Sequence, residues 1–85
     1  FALNSAYPNP FNPTTELSYS LPNAAEVMIA VYDVQGREIA RLVDGWKSAG
    51  TYSVTFDASN LSSGLYFARM VSGEFNQTQK LLLTK

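Results

Sequence analysis

The stretch Gly50–Gly73, GTYSVTFDASNLSSGLYFARMVSG, decides the fold. Its first part alternates. Tyr52, Val54 and Phe56 fall on one face and Thr51, Ser53 and Thr55 on the other, the two-residue period of a strand buried on one side. Ala58 to Gly64 breaks the pattern with a loop rich in Ser and Asn. Leu65 to Val71 then resumes as a strand that is apolar on both faces except at Arg69, and Ser72-Gly73 turns the chain again.

The join between the two runs carries more. In Asn60-Leu-Ser-Ser-Gly-Leu-Tyr66 a leucine is followed by a tight glycine turn and a tyrosine at the head of an apolar strand. This resembles the tyrosine corner of Greek-key sandwiches, where the phenol packs inside and its hydroxyl bonds back to nearby backbone. Tyr66 is therefore expected to be structural.

Working outward, the same strand-and-turn rhythm holds. Thr15 to Leu21 puts Leu17, Tyr19 and Leu21 on one face. Glu26 to Asp33 is apolar on both faces, which predicts a central strand covered on each side. Asp33-Val-Gln-Gly36 suits a type I turn followed by a left-handed glycine, closing a hairpin onto Arg37 to Val43. Ile39 and Leu42 break strict alternation there, so a bulge is expected near Ala40. Asp44 to Gly50 reads as a loop, and Glu74 to Thr84 as the last strand. No segment has apolar residues at helical spacing, and no internal repeat or low-complexity tract appears. All five glycines fall at turns or loops. The expected fold is all-β: a small immunoglobulin-like antiparallel β-sandwich of six or seven strands.

At 85 residues this is one domain, assigned to 1–85 with 1–6 as a residual linker or lead-in. The start at Phe1, without a signal peptide, reads as a piece of a longer protein. No apolar run is long enough to span a membrane. The net charge is −1, with acids and bases scattered singly, which is neither a nucleic-acid stripe nor a polybasic anchor.

With no Cys and no His, there is no disulfide, no thiolate metal site and no imidazole base. Any catalysis would fall to Asp, Glu, Lys, Tyr or Ser, and the seven acids stand in seven separate places. Asp33 and Asp57 are read as turn caps and not as the facing carboxylates of a glycosidase. No loop holds the two or three acids that calcium asks for. We expect no catalytic, cofactor or metal site. Trp46, the one tryptophan, lies in the expected 44–50 loop, where it either stacks on a sugar ring or covers one end of the core. Tyr32 and Phe67 either form an exposed aromatic strip or pack beneath a loop.

The stretch Ala6–Leu17, AYPNPFNPTTEL, holds three of the four prolines. It lacks the Gly, Ser or charge of a free spacer. Proline in a sheet belongs at an edge or a strand start. The segment is expected to be an extended edge piece with Phe11 in the core and the side chains of Asn9 and Asn12 satisfying backbone that cannot ladder.

Together, YPNPFNPTTELSYSLP, VYDVQGREIARLVDG, SAGTYSVTFDASNLSSGLYFARM and KLLLTK resemble, in order and spacing, the type A C-terminal sorting domain of the type IX (Por) secretion system. The Ig-like domain of the flagellar hook-capping protein is similar around the hairpin and the Gly-x-Tyr strand. The resemblance implies a non-catalytic signal at the end of a larger exported protein. It implies passage through the periplasm, recognition by the outer-membrane machinery, and delivery to the cell surface or medium. Its implied partners are that machinery, a sortase-like peptidase that can attach the cargo to the cell, and the N-terminal cargo domains; the domain itself would be a monomer. The family motifs map onto Pro8, Asn9 and Pro10, then Gly64 and Tyr66, then Lys80 and the final residues through Lys85. Phe56 stands where the family typically has tryptophan. Gln79 to Lys85 is expected to offer an exposed strand edge to a receptor, so that its deletion would block export without unfolding the domain. Other readings are a carbohydrate-binding accessory module using Trp46, or a structural Ig-like spacer, attached to a secreted hydrolase.

Overall fold

A computed structural model describes every residue, Phe1–Lys85, and consists of seven strands with no helix. They are β1 (Ala2–Leu3), β2 (Thr14–Leu21), β3 (Ala25–Tyr32), β4 (Glu38–Lys47), β5 (Gly50–Asp57), β6 (Gly64–Ser72) and β7 (Phe75–Leu83). Two antiparallel sheets, ordered β1-β2-β5 and β4-β3-β6-β7, pack face to face. The fold is the small all-β sandwich expected from the alternation.

The core is built from the inward residues of that alternation. Leu17, Tyr19 and Leu21 of β2, Val27, Ile29 and Val31 of β3, Ala68 and Met70 of β6, and Leu81 and Leu83 of β7 are all buried. Each such large aliphatic side chain contributes about 1.5–3 kcal/mol relative to exposure. Phe56 meets Phe11 at 5.9 Å between ring centroids, and Tyr19 stacks on Tyr52 at 5.3 Å.

The hairpin between β3 and β4 closes through Asp33. Its carboxylate accepts from the backbone N–H of Gln35 and Arg37 and from Arg37 Nε, and its carbonyl accepts from Gly36 N. Gly36, at φ 83°, supplies the left-handed residue. Beyond the turn, the register slips twice. Val43 pairs with Ile29 and Arg41 with Ala30, leaving Leu42 over; Ala40 pairs with Val31 and Glu38 with Tyr32, leaving Ile39 over. The expected single bulge near Ala40 is two bulges on either side of it. They let Ile39, Ala40, Leu42 and Val43 all reach the core while Glu38, Arg41 and Asp44 stay outside.

Two expectations are corrected. The 44–50 loop is mostly strand: β4 runs on to Lys47 because β3 starts at Ala25 and the ladder continues through Val27–Gly45, Glu26–Trp46 and Ala25–Lys47. Only Ser48-Ala49 separates β4 from β5, and the chain crosses there from one sheet to the other. The outer face of β3 carries no further layer; Ala30 is covered between the cross-strand neighbours Arg41 and Arg69. Residues 1–6 lie along the sandwich: Ala2–Leu3 forms β1 against β2, and Leu3 and Ala6 are buried.

Candidate functional site

The proline segment closes one long side of the sandwich. Ala2 and Leu3 pair with Ser20 and Tyr19, and Tyr7 exchanges two backbone bonds with Glu16, so the first residues run along β2. The chain then crosses to the other sheet. Asn9 behaves as a strand residue through its side chain: Nδ2 donates to Lys80 O (2.8 Å) and Oδ1 accepts from Leu82 N (3.0 Å). Phe11 continues with its backbone, its N–H donating to Leu82 O and its carbonyl accepting from Thr84 N. A residue between two prolines has no neighbouring N–H on its C-terminal side, so an amide side chain that both donates and accepts replaces the missing ladder. Thr15 Oγ1 donates to Pro8 O (2.6 Å), and Ala58 N to Pro13 O (2.9 Å), which pin the two ends of the segment. Asn12, expected to act like Asn9, makes no side-chain hydrogen bond.

The other motif residues gather at the same side. Gly64 pairs with Leu83 and Tyr66 with Leu81, so the Gly-x-Tyr strand lies directly against the last strand. Tyr66 is buried, and its hydroxyl donates to Ser62 O (2.7 Å), the geometry of a tyrosine corner. Gly64 sits at φ 150°, which a side chain would strain. Lys85 anchors the terminus to the preceding loop: its backbone N–H donates to Ser63 Oγ (3.0 Å) and its Nζ to Ser59 O (2.7 Å). In that loop Asp57 accepts from the Ser59 hydroxyl and N–H, which, with the charge of Lys85, hold its carboxyl below the ordinary range. Pro8, Asn9, Pro10, Lys80 and Lys85 are exposed, and Tyr7 is the barest aromatic of the chain at 83% exposure. Segments some seventy residues apart in sequence thus build one surface.

A family model, the secretion system C-terminal sorting domain, matches residues 5–84. The chain belongs to that family. The sorting domain is of the type IX kind, and the match spans the proline segment, the Gly-x-Tyr strand and the terminal strand together. A search of curated proteins finds no significant match.

Within the sorting domain, the expected free edge at Gln79–Lys85 is not free. Lys80 O, Leu82 N, Leu82 O and Thr84 N are all bonded by Asn9 and Phe11. Leu81 and Leu83 are core residues, so deleting this stretch removes part of the core along with any signal. Trp46 is placed far from this surface, at the end of the sandwich where β6 turns into β7, and stands 67% exposed on β4. Tyr32 and Phe67 face each other across the β3–β6 ladder, half-buried on the outer face.

Two features were missed in the sequence. Ser48-Ala-Gly-Thr-Tyr52 repeats the Ser-x-Gly-x-Tyr pattern of Ser62–Tyr66, and Tyr52 OH donates to Ser48 O at the same 2.7 Å. Comparing the two glycine turns at equal spacing would have found it. Gln77 and Gln79 bridge the sheets, Gln77 Oε1 accepting from Leu3 N and Gln79 Nε2 donating to Leu3 O. Nothing local to those glutamines signals that role.

Proposed function

We propose that the surface joining the proline segment to the last strand is what the export machinery reads. As a type IX sorting domain, the chain directs export toward the cell surface or extracellular space and works with the type IX machinery. The observation that carries the finer reading is the convergence of exposed Pro8, Asn9, Pro10 and Lys80 on one edge, with Lys85 tying down the terminus beside them. A composite surface of this kind exists only once the domain is folded. It therefore reports to a receptor that folding is complete, which suits a signal read in the periplasm. The domain does no chemistry of its own in this reading; a sortase-like peptidase acts on the boundary with the cargo and attaches the cargo to the cell.

The test fuses the chain behind a signal peptide and a reporter in a host that has the type IX system. The unaltered fusion is expected outside the cell. Lys80→Glu with Lys85→Glu is expected to leave the reporter in the periplasm, because both side chains lie outside the core. A melting curve of the purified double variant separates lost recognition from lost folding. Export of a stable double variant at the normal level would rule out this surface, and a periplasmic reporter with the unaltered domain would rule out the sorting role.

A further inference from the structure

At the end of the sandwich opposite the signature surface lies an open cleft of about 770 Å³, lined among others by Phe1, Glu26, Trp46, Gly73, Glu74 and Phe75. Its apolar lining combines Ala24 and Ala25 with three aromatic rings: Phe1 and Phe75 stack at 5.6 Å, and the indole of Trp46 stands bare. Glu26 and Trp46 are cross-strand partners, so carboxylate and indole rise side by side from the same face of the sheet. Neither Glu26 nor Glu74 has an ion-pair partner, unlike Asp33, Glu38 and Asp44.

The cationic side chains on β4 and β6 are engaged elsewhere; on β6, Arg69 Nε donates to Asn76 Oδ1 (3.0 Å). Arg41 is held between Glu38 (2.8 Å) and Asp44 (3.2 Å), and Lys47 Nζ lies 5.8 Å over the ring of Tyr52 on the other face. The lining side chains offer carboxylate acceptors, but only the Trp46 indole and the Ser72 hydroxyl as donors. The latter is already given to Glu26 O (2.6 Å). A sugar hydroxyl both donates and accepts and would find half its needs unmet here. A guanidinium only donates, is planar, and stacks on indole while pairing with a carboxylate.

We propose that this cleft receives an arginine side chain of a partner polypeptide, stacked on Trp46 and paired with Glu26 and Glu74. The site is separate from the signature surface, so the sorting domain presents two faces: one carrying the family motifs, the other an acidic aromatic socket for a basic segment.

The test follows Trp46 fluorescence of the chain, acetylated at its amino terminus so that Phe1 brings no charge of its own, during titration with a blocked Gly-Arg-Gly tripeptide. Saturable quenching is expected. It should weaken about fivefold or more in Glu26→Gln/Glu74→Gln, as loss of two partly exposed ion pairs implies. It should also fall with added salt. The citrulline tripeptide, which keeps the shape and loses the charge, is expected not to bind. Amide shifts of Gly73 and Phe75 in the folded double glutamine variant confirm that the cleft is intact. Equal binding of the citrulline peptide, unchanged affinity of the double variant, or saturation by a neutral oligosaccharide in place of the arginine peptide would each overturn the assignment.

Discussion

The two long sides of this sandwich are finished in opposite ways. On the β1/β7 side, Asn9 and Phe11 complete the rim of β7, and Gln77 and Gln79 tie β7 to β1. On the β4/β5 side both outer edges carry no backbone partner. Even there the two edges differ. β4 is broken by two bulges and carries Glu38, Arg41, Asp44 and Lys47, the features that discourage strand pairing. β5 runs from Gly50 to Phe56 without a charge, a proline or a register slip. The contrast shows where sequence has been spent on closure: on the side where the proline segment meets the last strand.

Phe11→Ala is the strongest way to break this contrast. It removes the ring against Phe56 and loosens the segment that seals β7, and should cost about 3–5 kcal/mol in denaturant unfolding. A loss under about 1 kcal/mol would mean that the side is not closed through Phe11. Asn9→Ala comes next, at about 1–3 kcal/mol for two hydrogen bonds. Its specific mark is faster hydrogen exchange at the Leu82 amide, and an amide that stays protected would place the seal elsewhere.

The paired corners sharpen the comparison, since the same motif occurs on both sides. Tyr66→Phe, on the strand next to β7, should cost about 1 kcal/mol, and Tyr52→Phe, on the open side, about half as much. Equal losses would show that the local motif alone sets the value. Ser53→Lys on the bare β5 edge should change stability by no more than about 0.5 kcal/mol. A larger loss would reveal that this edge is covered in solution.

The smallest effect is acid-dependent. The folded carboxyls of Asp33 and Asp57 sit below their ordinary value, Asp33 through the Arg37 and Gln35 N–H groups and Asp57 through Ser59. A depressed folded pKa adds stability that is complete above the unfolded value of about 3.9 and is lost as pH falls through the folded value. With no histidine to titrate, the melting temperature should stay level from about pH 5 to 8 and drop below about pH 4. Asp57→Asn should narrow that drop, and an identical acid limb in the variant would remove Asp57 from the account.

Much of the fold was legible because strands buried on one face announce themselves every second residue, and β2 and β5 were read from that alternation alone, while β6 showed as a short apolar run bounded by turns. The Asp33–Gly36 turn was legible for a similar reason, since its partners lie within four residues. The continuation of β4 through Trp46 was not, because Asp44 and Gly45 look like a turn and only the facing start of β3 holds them in a ladder. Of the signature residues, Tyr66 carried its role in its own neighbourhood. Asn9 showed its kind of role, a side chain standing in for backbone, but not its partners.

By itself, then, the sequence determined an all-β sandwich, its inward residues, its local turns and the family to which it belongs. These are encoded by periods and contacts within a few residues. Only the tertiary structure decided that Asn9 reaches Lys80 and Leu82, that the last strand is sealed, that Gln77 and Gln79 clasp Leu3, and that Trp46 and two unpaired carboxylates share a cleft. Those are pairings across most of the chain length. No local pattern specifies them, because they depend on which strand edges the two sheets leave side by side after packing.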